Sequence, residues 1–496
     1  MRFVQNFPFV CILLTLICAV VSSVLSGRAA RRLTTALILA VTAMTGCVFA
    51  DTLITGESYV YRMGHYPAPW GNEIRAGSLE ALTLLVFLVV LLLAFLGGVR
   101  RSEQELETSK YNIFCILIDL MLLALLALVY TNDLFTAYVF IEINTIASAG
   151  MVMSRQTGHA LVGGVRYLIM NLLGSSLFLV GVILLYSISG HLLMPNIRES
   201  VAVLASTGAY HEPLTIVVGL ITVGLAMKSA LFPFETWLPM AYSSATPMGS
   251  ALMSSLVSKG YIFLLIKIYA RVIGLDVVRQ LGIFDVLFIY GVAGMIVGSL
   301  NAVRAKQGRM MIAYSSVAQI GYVFAGIGLG TQMGLICAMW HMMAHALTKS
   351  MLFIANSALR TASGGSNLRK DLRGVFYRSP LAAIAFTLGG VNLVGVPLLS
   401  VFVTKLTLAQ AAIEVGGRHM IIALSAMVIS TVLNALYFLG TSASFFSPRE
   451  GVQEERVKPG RLVTISLAGF IAANLVFGIL SGNVIALLAD GLTKFV

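Results

Sequence analysis

The sequence predicts an all-α polytopic membrane protein of about fourteen transmembrane helices, arranged as two inverted five-helix repeats. Three observations carry this: an apolar composition, a recurrence of membrane-length apolar segments, and an uneven placement of basic residues between them. The chain has 496 residues, 58% of them hydrophobic and 11% charged, and a mean hydropathy of +0.91. A soluble domain carries about 25% charged residues, so the composition places most of this chain in lipid. Its 46 glycines against 12 prolines suit closely packed helices.

The apolar segments run roughly over 8–26, 33–52, 79–98, 112–130, 133–153, 164–188, 214–234, 246–270, 283–303, 310–329, 332–357, 380–412, 419–442 and 462–489. No connection between them is long enough to fold alone. Basic residues test the count. The loops after odd-numbered segments hold 20 Lys and Arg, those after even-numbered segments 6. That asymmetry places the odd-side loops in the cytoplasm and both termini outside, in a cell inner membrane. The first apolar run is followed, not preceded, by Arg28, Arg31 and Arg32, so it reads as a retained helix and not a signal peptide. The stretch 189–213 is mixed in polarity and is expected to lie along the outer surface. The loop 63–75, rich in Pro, Gly and aromatic residues, is expected to be ordered at the interface.

Several function classes fall away. The net charge of +12 would suit nucleic acid, but the basic residues flank membrane segments and form no contiguous patch, so no nucleic-acid partner is expected. The five cysteines are scattered through apolar segments without a CxxC and read as packing residues. No motif for an iron–sulfur cluster, haem, flavin or nucleotide is present. No cofactor and no catalytic or redox centre is expected.

Five lysines stand inside apolar segments: Lys228, Lys259, Lys267, Lys349 and Lys405. An ionised side chain near the bilayer centre costs roughly 2.5–3.5 kcal/mol on insertion scales, and such residues mark ion paths. Segment seven is broken at Pro233, five residues after Lys228. Segment twelve is interrupted at Gly389-Gly-Val-Asn-Leu-Val-Gly-Val-Pro397, and Lys405 follows. Two broken, lysine-bearing segments five apart must run oppositely, the expectation for inverted repeats over segments 4–8 and 9–13. The resulting division is 1–110 peripheral, 111–271 first repeat, 272–445 second repeat, and 446–496 a linker with the last helix.

Glu142, near the middle of segment five, is read as the buried partner of Lys228, either a proton-responsive pair or a static ion pair. Lys259 and Lys405 have no local acidic partner and read as relay stations. Lys267, near its segment end with Arg271 beyond it, reads as snorkelling. His341, His345 and Lys349 share one helix face. The two histidines suit a proton relay; a metal pair lacks an acidic companion, and no metal is expected. Lys349 is read either as part of this polar lining or as a donor to backbone carbonyls. Glu235, just past the break, is read as a gate or as a helix cap, and Asp119 as polar lining of the path or as a polar contact between helices.

The order of these residues resembles one family. A glutamate in segment five is followed by Lys228…Phe232-Pro233…Trp237-Leu-Pro239, then Lys259, Ala313-Tyr-Ser315-Ser316, His341-x-x-x-His345-Ala-x-x-Lys349 and Gly395-Val-Pro…Lys405. This pattern is similar to the antiporter-like subunits shared by respiratory complex I, Mrp-type sodium/proton antiporters and membrane-bound energy-converting hydrogenases. It covers about residues 60 to 445, and the loop 64–71 is more like the Mrp and hydrogenase branch. The resemblance implies fourteen helices, an axis Glu142–Lys228–Lys259–His341/His345–Lys405 with Ser315 and Ser316 lining it, and partners: other membrane subunits, soluble redox subunits, translocated H+ and possibly Na+. The family often has His where this chain has Glu235, Tyr242 and Gln319, so the inlet half is unusual. The function expected is proton translocation as a subunit of a redox-driven or Mrp-type complex. Sodium/proton exchange and a structural subunit with a non-conducting channel are the alternatives.

Overall fold

A computed structural model describes residues 3–66, 71–208, 210–448, 456–457 and 459–495. Pro67–Trp70 of the expected interfacial loop, and Arg449 and Lys458 of the basic loops, lie outside the described residues. Among those described, twelve helices are long and apolar enough to cross a membrane, at least 18 residues each, near the length that spans about 30 Å of hydrocarbon.

In chain order the elements are α1 (Phe7–Ser22), α2 (Gly27–Thr55), a short antiparallel hairpin of β1 (Tyr59–Arg62) and β2 (Glu73–Ala76), α3 (Ser78–Glu105), α4 (Tyr111–Tyr130), α5 (Leu134–Met153) and α6 (Gly158–Ser189). Next come α7 (Met194–Thr207), α8 (His211–Lys228), α9 (Trp237–Ser244), α10 (Pro247–Ile273), α11 (Ile283–Arg304) and α12 (Gly308–Gly328). The remainder is α13 (Gln332–Ala362), α14 (Pro380–Val394), α15 (Ser400–Val415), α16 (Gly417–Phe445), α17 (Arg461–Ile479) and α18 (Ser481–Thr493). Two of the fourteen expected spans fall outside the twelve. The 31-residue α13 is long enough, but its His, Lys and amide side chains make it too polar to count by hydropathy. The other is split into α14 and α15. The last expected segment is also divided, at Leu480, into α17 and α18.

Segment seven breaks between Lys228 and Trp237, with Ala230 at φ 58°. Segment twelve breaks between Val394 and Ser400, with Gly395 at φ 87°. Each break is held by an indole: Trp237 Nε1 donates to Met227 O at 3.2 Å, and Trp340 Nε1 donates to Ser400 O at 2.8 Å. Irregular backbone survives at membrane depth only inside protein or beside water, and each indole N–H ties surrounding protein to a carbonyl at the edge of its break.

The two ends of the bundle differ as the loop parity requires. At one end Glu105, closing α3, accepts from Arg101 at 3.0 Å and forms ion pairs with Arg155 at 3.2 Å and Arg360 at 3.6 Å. At the other, Phe9 stacks on Tyr61 of the hairpin and Arg75 donates to Lys494 O at 2.9 Å. Both termini therefore meet at the hairpin end. The stretch 189–213 forms α7, which buries Met194, Ile197 and Val201 on one face and exposes its other, as its mixed polarity predicts. Helices α10 and α13 form the centre, buried over almost their whole length.

Candidate functional site: a buried track of lysines, histidines and hydroxyls

Lys228 ends α8 and is fully buried. Its Nζ donates to Thr145 Oγ1 of α5 at 2.7 Å and stands 5.1 Å from the Tyr261 ring centroid, a cation–π distance. The lysine reaches this position because α6 and α8 touch at two glycines. A Cβ on Gly224 would lie 2.6 Å from Gly174 O and 2.8 Å from Phe178 N, so no larger residue fits.

Glu142 is not buried as expected. It is partly exposed on α5, on the stripe shared by Phe135, Val139 and Ile146, which face outward. It makes no ion pair with Lys228 among the described residues. The reason is helical geometry: residues three apart point about 60° away from each other, so the helix that turns Thr145 inward turns Glu142 toward its rim.

Lys259 follows a π-helical turn, Met253–Val257, inside α10. Such turns leave carbonyls without their usual partners and gather at functional sites. Here Lys259 Nζ donates to Ser254 O at 2.5 Å and to Ser258 Oγ at 3.1 Å. Ser254 continues to Ser316 at 3.2 Å, and Ser255 to Ser350 of α13 at 2.7 Å. On α13, Lys349 Nζ bonds Ser315 Oγ and donates to Ile312 O at 3.1 Å, a backbone carbonyl as one reading expects.

His341 and His345 stack with centroids 5.8 Å apart. His341 Nδ1 bonds Thr404 Oγ1 of α15 at 3.0 Å. Among the described residues, the Nε2 of each ring is buried without a partner, as are both amide atoms of Gln319 and the Tyr322 hydroxyl. Buried polar atoms of this kind are usually satisfied by water. Lys405, half-buried, bonds Val394 O and donates to Thr431 Oγ1 at 2.5 Å.

Three residues stand apart. Asp119 is buried against Ser22 and Thr34, at 3.5 and 3.2 Å, an interhelical contact away from the track. Glu235 is buried in the first break; among the described residues its Oε2 has no partner and its carboxylate accepts from no N–H of α9, so no capping bond is seen. Lys267 does not snorkel. It is fully buried and donates to Val129 O and Thr131 O at 2.7 and 2.6 Å, because the end of α4 offers bare carbonyls closer than any interface. Beside it Arg75 pairs with the buried Glu80 at 2.6 Å.

Sequence reasoning missed the neutral partners Thr145, Tyr261, Thr404, Thr431 and Asn392. Hydroxyls and amides in apolar helices carry no spacing signal of their own. The exception is Asn392, which stood in the glycine-rich break. Its amide donates to Thr348, Ser400 and Asn474 at 2.9–3.1 Å, and its Oδ1 accepts from Val401 N at 3.0 Å.

Residues 131–433 match the family described as NADH:quinone oxidoreductase/Mrp antiporter, TM, which is more than half of the chain. The chain belongs to this family. It is 30% identical over 450 residues to a NADH-quinone oxidoreductase subunit of Desulforudis audaxviator, covering 89% of this chain and 87% of that protein. It is 26% identical over 421 residues to a Na(+)/H(+) antiporter subunit of Alkalihalophilus pseudofirmus, covering 84% and 82%. Its fold matches a chain of the membrane-bound sulfane sulfur reductase, an archaeal respiratory membrane complex, with a TM-score of 0.88 at 25% identity over 100% of this chain and 98% of the other. It is thus a multi-pass, antiporter-like membrane subunit, with the fold and broken helices that the motifs implied.

Proposed function

We propose that this chain carries protons across the membrane as a subunit of a multisubunit complex, along Lys228, Lys259, His345, His341 and Lys405, with Glu142 entering from the rim. The observation that carries the reading is the set of partners. Among the described residues, Lys228, Lys259, Lys349 and Lys405 are held by hydroxyls, carbonyls and aromatic rings, with no carboxylate in contact. Burying an ammonium with no carboxylate in contact is costly, and loss of the proton removes that cost. A row of such groups passes a proton more readily than it holds one.

The divisions 111–271 and 272–445 supply the two halves of the path, one broken span each. Basic loops face the cytoplasm and both termini the outside of a cell inner membrane, on the positive-inside rule. Moving one charge against 100 mV takes about 2.3 kcal/mol, which neighbouring membrane subunits and soluble redox subunits, or an opposing sodium gradient, would supply. The test is Lys228→Ala and Lys259→Ala in the assembled complex, with proton pumping read in vesicles. Wild-type pumping by an assembled complex carrying either variant would remove the proposal. Sodium/proton exchange remains the second reading, favoured by the antiporter relative, and replacing sodium by potassium in the same assay tests it.

A further inference from the structure

A cavity of about 230 Å³ opens at the Glu105 end of the bundle, away from the lysine track. Arg100 and Arg101 of α3, Ser357 and Thr361 of α13, Ser379 and Gly460 line it. Its volume is several times the roughly 30 Å³ that a water molecule occupies in the liquid.

Three independent features of this cavity favour an anion. Among the described residues positive charge is in excess: Glu105 is shared by Arg101, Arg155 and Arg360, and the exposed Arg100 has no hydrogen bond or ion pair. Two helices begin here, α14 after Ser379 and α17 after Gly460, and no side chain caps either one. The dipoles and free N–H groups of their first turns, beyond Pro380 in α14, which has no N–H, therefore favour negative charge at the cavity. Ser379 is only 2% exposed, yet its hydroxyl has no partner among the described residues. A buried hydroxyl lining a cavity, unpaired, lacks an acceptor or donor that a ligand can supply.

The rest of the lining indicates the source of the anion. Ile354 and Val463 add apolar wall, and the site lies where membrane-spanning helices end, at headgroup depth. Free phosphate has no use for an apolar wall, whereas a phospholipid has glycerol and acyl carbons to place against it. We propose that this cavity binds the phosphate of an anionic phospholipid.

The test uses the full chain within its purified, delipidated complex, with phosphatidylglycerol, phosphatidylcholine or inorganic phosphate added. Phosphatidylglycerol is expected to raise the unfolding midpoint by roughly 2–4 °C, phosphatidylcholine to leave it unchanged, and Arg100→Gln with Ser379→Ala to abolish most of the shift. Native mass spectrometry should show one fewer retained phosphatidylglycerol in that double variant, a readout that does not depend on its baseline stability. An undiminished shift and lipid count in the double variant overturns the site. An equal shift from inorganic phosphate, lost in the same variant, overturns the lipid and leaves a free-anion site.

Discussion

Gly395 and Lys405 fit together only because residue 395 has no side chain. A Cβ there would lie 2.8 Å from Lys405 Cδ and 3.0 Å from its Cε, and Gly395 holds φ at 87°. The lysine stem crosses the break at this point, and its Nζ bonds Val394 O, the carbonyl just before the glycine. The glycine therefore ends α14 and also makes room for the charge. We expect Gly395→Ala to cost about 1–3 kcal/mol from backbone strain and to lower pumping as far as Lys405→Ala does. Thermal unfolding and vesicle assays of the assembled complex read both effects, and wild-type pumping by Gly395→Ala would separate the glycine from the path.

Thr145 sets the position of Lys228. Removing its hydroxyl leaves the buried ammonium with the Tyr261 ring alone. Thr145→Val is nearly isosteric, so we expect a loss of about 1–3 kcal/mol and reduced pumping, with Thr145→Ser restoring both. A Val variant that pumps normally would show that the bond is incidental.

Lys267 is expected to act on stability first. Its ammonium satisfies two carbonyls at the end of α4, and Lys267→Met leaves both buried without that donor. The expected cost is about 2–3 kcal/mol, seen as a lower unfolding midpoint of the complex. An unchanged midpoint with impaired pumping would move Lys267 into the proton path.

Asn392 closes the second break through four hydrogen bonds. In Asn392→Ala the N–H of Val401 and the Thr348 and Asn474 side chains lose their common partner. We expect a cost of about 1–3 kcal/mol, and faster hydrogen exchange confined to residues 392–403. Exchange at wild-type rates there would mean the break is held by Trp340 alone.

Glu142 stands among Phe135, Val139 and Ile146 on an outward stripe. A carboxylate facing lipid at mid-span is expensive, so this face is expected to lie against a neighbouring subunit. Glu142→Cys should cross-link to that subunit in the native complex. Labelling by a lipid-soluble maleimide, with no cross-link, would place the face in lipid instead.

The distribution of these residues explains what could be read early and what could not. Lys228, Lys259, His341 and Lys405 were legible because charge in an apolar run violates the transfer energetics of the whole segment. Thr145, Thr404 and Thr431 were not, because a hydroxyl costs little in a helix, where it can bond the preceding turn. Lys267 was legible as a charge but misplaced, since only packing shows that the carbonyls of α4 lie nearer than the interface.

By itself the sequence determined the all-helical membrane class and the two breaks. These follow from apolar length and charge placement, which act segment by segment. The tertiary structure alone decided which groups meet. It put Thr145, and not Glu142, against Lys228. It freed carbonyls for Lys259 through a π-helical turn, and it drew Arg100, Ser379 and two helix starts around one cavity. Those outcomes depend on helix rotation and on contacts between residues far apart in the chain, and no local pattern of amino acids encodes either.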